Sequence, residues 1–442
     1  MKAKNGPRRL FRYRWLIFVV LAVGYVLVYF HRVSSAVVAS ELAEAFHVSG
    51  ALLGVLASAY FYPYAIMQLP AGLLSDSLGP RKAVTLFTLI AALGAVLFGL
   101  SPTVSLAITA RILIGLGVAV IFIPAMKIFA EWFLVREFAM MTAILMIIGG
   151  LGWFSASTPL ALLTLWVGWR MAFIIIGLGT WLLAILSWSI IRDRPQDMGL
   201  PSLTEMDVSK SSAVPGESRI GLLEGMRIVL FQRYFWPLAI WFFFNSGTLF
   251  GFGGLWGGPF MMEVYGLNKA DTANVLMMIP VGIIIGSPLL SFISDRVIQG
   301  RKPVLIGSSI VLILTWIPLA FFTARLNSVF LALICFFMGV FSSGIVVVAF
   351  TTTKELFPTA IAGTSTGTVN LFPFFGGAVF QPLIGVILDK VGKVGDAYPA
   401  SAYEWAFFAS FIATIIAFIA ILFMKETFPR SDGQGKGSPL SA

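Results

Sequence analysis

GLLSDSLGPRKAV, residues 72–84, returns in the second part of the chain as SFISDRVIQGRKPV, residues 291–304, with a Ser-Asp pair followed by an Arg-Lys pair in each. Farther on, AEWF at 130–133 has a weaker counterpart in KELFP at 354–358. An ordered echo of this kind is what duplication of a long unit leaves behind. Two related halves are implied. Each carries a short polar hairpin containing a carboxylate, a glycine and an adjacent pair of bases.

The hairpins interrupt apolar sequence. Runs of 18 or more apolar residues recur along nearly the whole chain of 442 residues, which is 58% hydrophobic and 11% charged. Each run can cross roughly 30 Å of hydrocarbon as a helix. Spans are expected at 15–39, 50–74, 82–100, 103–132, 138–165, 168–191, 234–262, 272–294, 303–324, 328–353, 361–388 and 403–424. The first run is longer than a signal-peptide core and many others follow it, so it reads as a retained helix. The expected architecture is an all-α membrane protein with twelve transmembrane helices in two pseudo-symmetric six-helix bundles. The bundles are placed at 1–191 and 234–430, with a polar central loop at 192–233 and a tail at 431–442. Basic residues gather at the start of the chain, at Arg81 and Lys82, in the central loop, at Arg296, Arg301 and Lys302, and in the tail. With an even number of spans these fall on one side. The positive-inside rule then puts both termini in the cytoplasm of a multi-pass plasma (inner) membrane protein. This bias accounts for most of the net charge of +10, so no nucleic-acid partner is needed. Cys335 is the single cysteine, which excludes an intramolecular disulfide.

GLLSDSLGPRK resembles the signature G-x-L-x-D-x-x-G-x-R-K of major facilitator superfamily transporters, with Ser77 where that family has an arginine. The match runs through Gly72, Asp76, Gly79, Arg81 and Lys82, and the resemblance extends from residue 15 to about 424. On physical grounds alone, a tight turn needs Gly79 for backbone freedom, while Asp76 and Arg81 can pair across helix ends. The resemblance implies that this hairpin is a conformational latch, with Glu131 as a partner for Arg81. Asp295 and Arg301 would play the same part in the second half. It also implies alternating access, in which the halves rock about a site near the midplane. RDRPQDMGLP at 192–201 and an arginine inside the first span make the first half most similar to the organophosphate and organic-anion branches. YFHRVS at 29–34 is similar to bacterial small-nutrient carriers. No arginine lies between Tyr234 and Glu263 to complete a phosphate clamp.

Arg32 lies well inside the first span, where an unpaired charge is costly. Tyr25, Tyr29, Arg32 and Ala36 share one helical face, which looks either into a solute cavity or into protein where carbonyls satisfy the guanidinium. Tyr60, Tyr64 and Gln68 share a face of the second span; Asn245, Thr248, Phe252 and Trp256 share one on the seventh; Asn370, Phe374 and Gln381 share one on the eleventh. Expected solute contacts are therefore Arg32, Tyr29, Tyr60, Tyr64, Lys127, Asn245, Trp256, Asn370 and Gln381. Lys127 could instead pair with Glu131 one turn away. Arg111 opens R-x-x-x-G-x-G with Gly115 and Gly117, and either snorkels to the interface or takes part in coupling. His31 is a further coupling candidate, with helix packing as the alternative.

Only two histidines occur, His31 and His47, without Cys/His metal spacing or a phosphate-binding glycine loop. Neither an enzyme nor a metal or cofactor is expected. The expected function is secondary transport of a small anionic or zwitterionic organic solute, such as an organic acid, amino acid or dipeptide. The alternative is a receptor of the same fold that binds such a solute without moving it. Expected partners are the bilayer, the solute and, for coupling, protons, with the chain acting as a monomer.

Overall fold

A computed structural model of the chain describes residues 6–200, 222–358 and 361–428. The tail expected at 431–442 lies outside the described residues, as does half of the central loop, 201–221. Eleven helical segments are long and apolar enough to cross a membrane. One of them, Arg136–Ile190, has 55 residues, or about 80 Å at 1.5 Å per residue, enough for two crossings. It breaks at Gly168, whose φ of 76° and ψ of 158° are not helical. The twelve spans are α1 (Leu10–Ala36), α2 (Gly50–Met67), α3 (Pro80–Leu100), α4 (Val104–Trp132), α5 (136–167), α6 (169–190), α7 (Phe235–Tyr265), α8 (Lys269–Val297), α9 (Lys302–Phe321), α10 (Ser328–Leu356), α11 (Gly363–Val391) and α12 (Ala400–Leu422).

Helix starts follow local chemistry. Ser49, Thr103, Asn268 and Asn327 each accept a backbone N–H in the first turn of the helix they precede, beginning α2, α4, α8 and α10. Pro70 opens a short helix, Pro70–Leu78, that carries α2 to the first polar hairpin. Within the halves, α3 packs on α4 and α6, α7 on α11, and α9 on α12. Between the halves, α2 lies along α11 and α5 along α8. The outer surface is apolar: Ile175, Leu178, Trp181, Leu182 and Ile185 on α6 are all exposed, the composition of a lipid-facing wall. α7 and α10 contain single π-helical turns at Phe252–Trp256 and Gly339–Gly344, an irregularity frequent at functional sites.

Candidate functional site

The α-helix that begins at Gly6 ends at Val33, one residue past Arg32, and gives way to a 3-10 turn, Ser34–Ala36. Arg32 is 6% exposed. Its Nη2 donates to the Tyr64 hydroxyl at 3.0 Å. The guanidinium carbon lies 4.4 Å from the ring centre of Tyr29, 4.9 Å from Phe374, 5.1 Å from Tyr64 and 5.9 Å from Phe250. Tyr29 and Tyr64 come from the first half, Phe250 and Phe374 from the second. Arg32 therefore sits where the halves meet, inside an aromatic cage. Each ring can hold a cation by roughly 0.5–2 kcal/mol, but no ring neutralises it. Among the described residues no carboxylate pairs with Arg32, and its buried Nε has no acceptor. Carbonyls at a helix bend do not satisfy this arginine. Behind the cage, Tyr60 stacks on Tyr64 with ring centres 5.5 Å apart and donates to the Val28 carbonyl at 3.1 Å.

Arg111 is the arginine that carbonyls do satisfy. It is 1% exposed and donates to the carbonyls of His31 at 2.9 Å and Ala57 at 3.1 Å, stapling α4 to α1 and α2. Of its two expected readings, snorkelling to the interface does not hold. Gly115 and Gly117 serve this packing, since a Cβ at either would lie within 2.5 Å of backbone in α2 or α3. The His31 ring is fully buried and neither of its nitrogens has a partner.

Other expected contacts separate from the cage. Lys127 pairs with Asp76, so it neither completes a cationic cavity with Arg32 nor pairs with Glu131. Asn245 ties α7 to α10: its Nδ2 donates to the Ser342 carbonyl at 2.8 Å, and its own carbonyl accepts the Ser342 hydroxyl at 3.0 Å. Trp256 donates to the Gln381 carbonyl at 2.8 Å, and Gln381 Nε2 donates to the Phe250 carbonyl at 3.1 Å, bracing one cage wall from α11. Asn370 donates to the Gln68 side chain across the halves at 2.9 Å. Phe250 was not among the expected contacts; it lies on a different face of α7 from Asn245, Phe252 and Trp256. Phe374 was legible as a member of the α11 face.

The hairpin between α2 and α3 turns at Gly79, whose φ of 84° favours glycine. Its pairing differs from the expectation. Arg81 bonds neither Asp76 nor Glu131: its guanidinium donates twice to the Trp188 carbonyl, at 2.7 and 2.9 Å, and lies 4.2 Å over the Trp188 ring. The cause is Asp193, just beyond α6, which accepts the Arg81 backbone N–H at 2.6 Å and so caps the start of α3. Arg81 is thereby held against α6. Glu131 faces Arg194 at 3.9 Å, and Gly72 lies in the helix Pro70–Leu78 with open space around it.

In the second half Asp295 and Arg301 do pair, and Arg301 also bonds Glu355 at 3.0 Å and Ser294 at 2.9 Å. Glu426, just beyond α12, accepts from the backbone of Arg301 at 2.9 Å and Lys302 at 3.0 Å, capping α9 as Asp193 caps α3. Burial tends to lower the charge on Arg301, but Glu355 and Asp295 outweigh it and hold the group above the ordinary arginine range. Burial likewise tends to raise Glu426, yet its backbone N–H partners hold the carboxyl below the usual carboxylate range.

At the end away from the chain termini, Asp389 on α11 accepts from the first backbone N–H groups of α2, Gly50 at 2.8 Å and Ala51 at 2.7 Å. Lys269 pairs with Glu41, and Thr158 bonds Asn274 at 2.7 Å, both across the halves. α2 and α11 approach so closely that a Cβ on Gly54 would lie 2.5 Å from Pro382 Cα. This end is closed.

The family model described as Major Facilitator Superfamily matches residues 21–380 and again 243–441, so the chain belongs to that superfamily. It is a multi-pass membrane transporter of small solutes. Among curated relatives it is 24% identical over 400 residues to "Probable sulfoacetate transporter SauU" of Cupriavidus necator, covering 86% of this chain and 88% of that one. It is 23% identical over 441 residues to "Membrane sensor protein UhpC" of Escherichia coli, covering 95% and 94%. The fold matches a bacterial homologue of the human lysosomal transporter Spinster, in its inward-facing and unoccupied conformation, with a TM-score of 0.72, 18% identity and 94% and 98% coverage.

Proposed function

We propose that this transporter moves a small organic anion or zwitterion, such as an organic acid, amino acid or dipeptide, by alternating access, with Arg32 as the contact for its negative group. One observation carries the reading: a buried, un-neutralised guanidinium at the seam between the halves. A charge there is expensive unless a function requires it, and a solute carboxylate or sulfonate both pairs it and crosses the membrane with it. By the positive-inside rule the termini and central loop are cytoplasmic, which makes the closed end the external one.

Uptake by proteoliposomes containing the purified protein tests this. Arg32→Lys keeps the charge but loses the planar fork, so apparent affinity falls. Arg32→Gln lowers it further, because the solute's charge is desolvated without a partner. A purely structural Arg32 would instead lower ligand-free thermal stability and leave the affinity of residual transport unchanged. An imposed proton gradient in the same assay tests protons as the coupling ion. The similarity to UhpC favours one second reading, a sensor of such a solute, which predicts saturable binding without net flux.

A further inference from the structure

The charge inventory around the cage narrows the solute. We infer that the site takes a monoanion carried on a flat apolar body and discriminates against a second negative charge, an inference that rests on the anion-transport reading above. Arg32 is the one basic side chain among the described residues whose head lies among the cage rings. Arg111 has both terminal nitrogens on carbonyls and is sealed behind Tyr60, with its guanidinium 5.3 Å from that ring. Lys127 is neutralised by Asp76, and Lys269 by Glu41. The second half lines the cage with Phe250 and Phe374, which donate nothing. The nearby amides are engaged, Gln381 with the Phe250 carbonyl and Asn370 with Gln68. A first negative charge meets Arg32; a second finds no second cation, only phenyl rings and the neutral hydroxyls of Tyr29 and Tyr64, which compensate its desolvation poorly.

Ring geometry supplies the shape of the body. Trp153 and Phe250 stack within 23° of parallel, Phe250 and Phe374 within 14°, and Phe61 and Phe374 within 25°. Phe250 and Phe374, from α7 and α11, are the near-parallel pair beside the guanidinium; Trp153 of α5 and Phe61 of α2 pack on them from the first half, with Phe61 tilted 38° from Phe250. Flat apolar faces recognise a planar ring by offset stacking. They give the hydroxyls of a sugar no partners.

Calorimetry on the purified full-length protein with five probes, benzoate, benzamide, terephthalate, phenyl phosphate and glucuronate, tests both parts. Benzoate, benzamide and terephthalate share a ring and differ in charge, at one, none and two negative charges near neutral pH. Phenyl phosphate changes charge within the accessible range, because its second proton leaves near pH 6. Benzoate is expected to bind at least tenfold more tightly than benzamide or terephthalate, and Arg32→Gln to reduce benzoate to the benzamide level. Affinity for phenyl phosphate should rise by about twentyfold from pH 7.5 to pH 5.5, as its monoanion becomes the main species, while benzoate stays level. Terephthalate, or phenyl phosphate at pH 7.5, binding as tightly as benzoate would overturn the single-charge inference and leave the anion-transport reading standing. Glucuronate matching benzoate would overturn the flat-body part alone. If no organic anion binds or is taken up, the anion-transport reading itself falls.

Discussion

The two polar hairpins descend from one pattern but are wired differently. In the second half, Asp295, Arg301 and Glu355 form a closed ion-pair group, with Glu426 on the backbone beneath it. In the first half the corresponding charges disperse: Asp76 turns to Lys127, Arg81 to the Trp188 carbonyl and ring, and Glu131 to Arg194. The feature both halves keep is a carboxylate beyond the sixth span capping the third. The cap is thus the shared structural element, while the side-chain pairs are free to differ. The second hairpin is built as a fixed joint, and the first holds its charges in exposed pairs that can exchange partners.

Substitutions can break this contrast. Arg301→Gln should have the largest effect, lowering stability by about 2 kcal/mol, because Glu355 and Asp295 lose a charge-assisted partner in a half-buried setting; thermal melting in detergent measures it, and an unchanged melt would refute the fixed joint. Glu426→Gln should cost about 1 kcal/mol through weaker capping of α9. The folded-state carboxyl lies below its ordinary value, so its contribution is full above about pH 4.3 and is lost as pH falls through the lower folded value. Melting curves from pH 7 to pH 3 should therefore converge for the wild type and Glu426→Gln at the acid end.

Smaller effects sharpen the other side. Arg81→Gln should cost under about 1 kcal/mol, since its side-chain bonds are exposed and the cap from Asp193 uses its backbone. Asp76→Asn should barely move the melt, because the side chains of Asp76 and Lys127 are 70% and 32% exposed. Its expected signature is kinetic: slower transport with solute binding intact. Unaltered transport rates would reduce the first hairpin to a determinant of topology.

The fold was legible because a duplicated hairpin and apolar runs of bilayer length are periodic signals that packing cannot disguise. The first-half part of the cage was legible for the same reason: Tyr29 and Arg32, like Tyr60 and Tyr64, lie one helical turn apart. Phe250 was not, because its partner Arg32 is in the other half and no spacing along α7 encodes a contact across the seam. Lys127 was misplaced by a local rule: Glu131 four residues on satisfies helical pairing, but Asp76 competes from a neighbouring element. Arg111 shows a different limit, since hydropathy gives the depth of a charge and not whether carbonyls wait there. The capping role of Asp193 has a trace in the sequence. RDRP at 192–195 and KETFP at 425–429 stand at equivalent places after the sixth span of each half.

Asp389 has a consequence for how any solute constant is understood. Its carboxylate on the first N–H groups of α2 belongs to one arrangement of the halves, so its strength sets what fraction of molecules rest with that end shut. Every 1.4 kcal/mol at that contact changes the resting ratio tenfold. A solute arriving from the shut side meets only the open minority, and its apparent dissociation constant is the intrinsic one divided by that fraction. Two carriers with the same aromatic cage can therefore differ a hundredfold in apparent affinity, and in which compartment they serve at low concentration, through a residue that never touches the cargo.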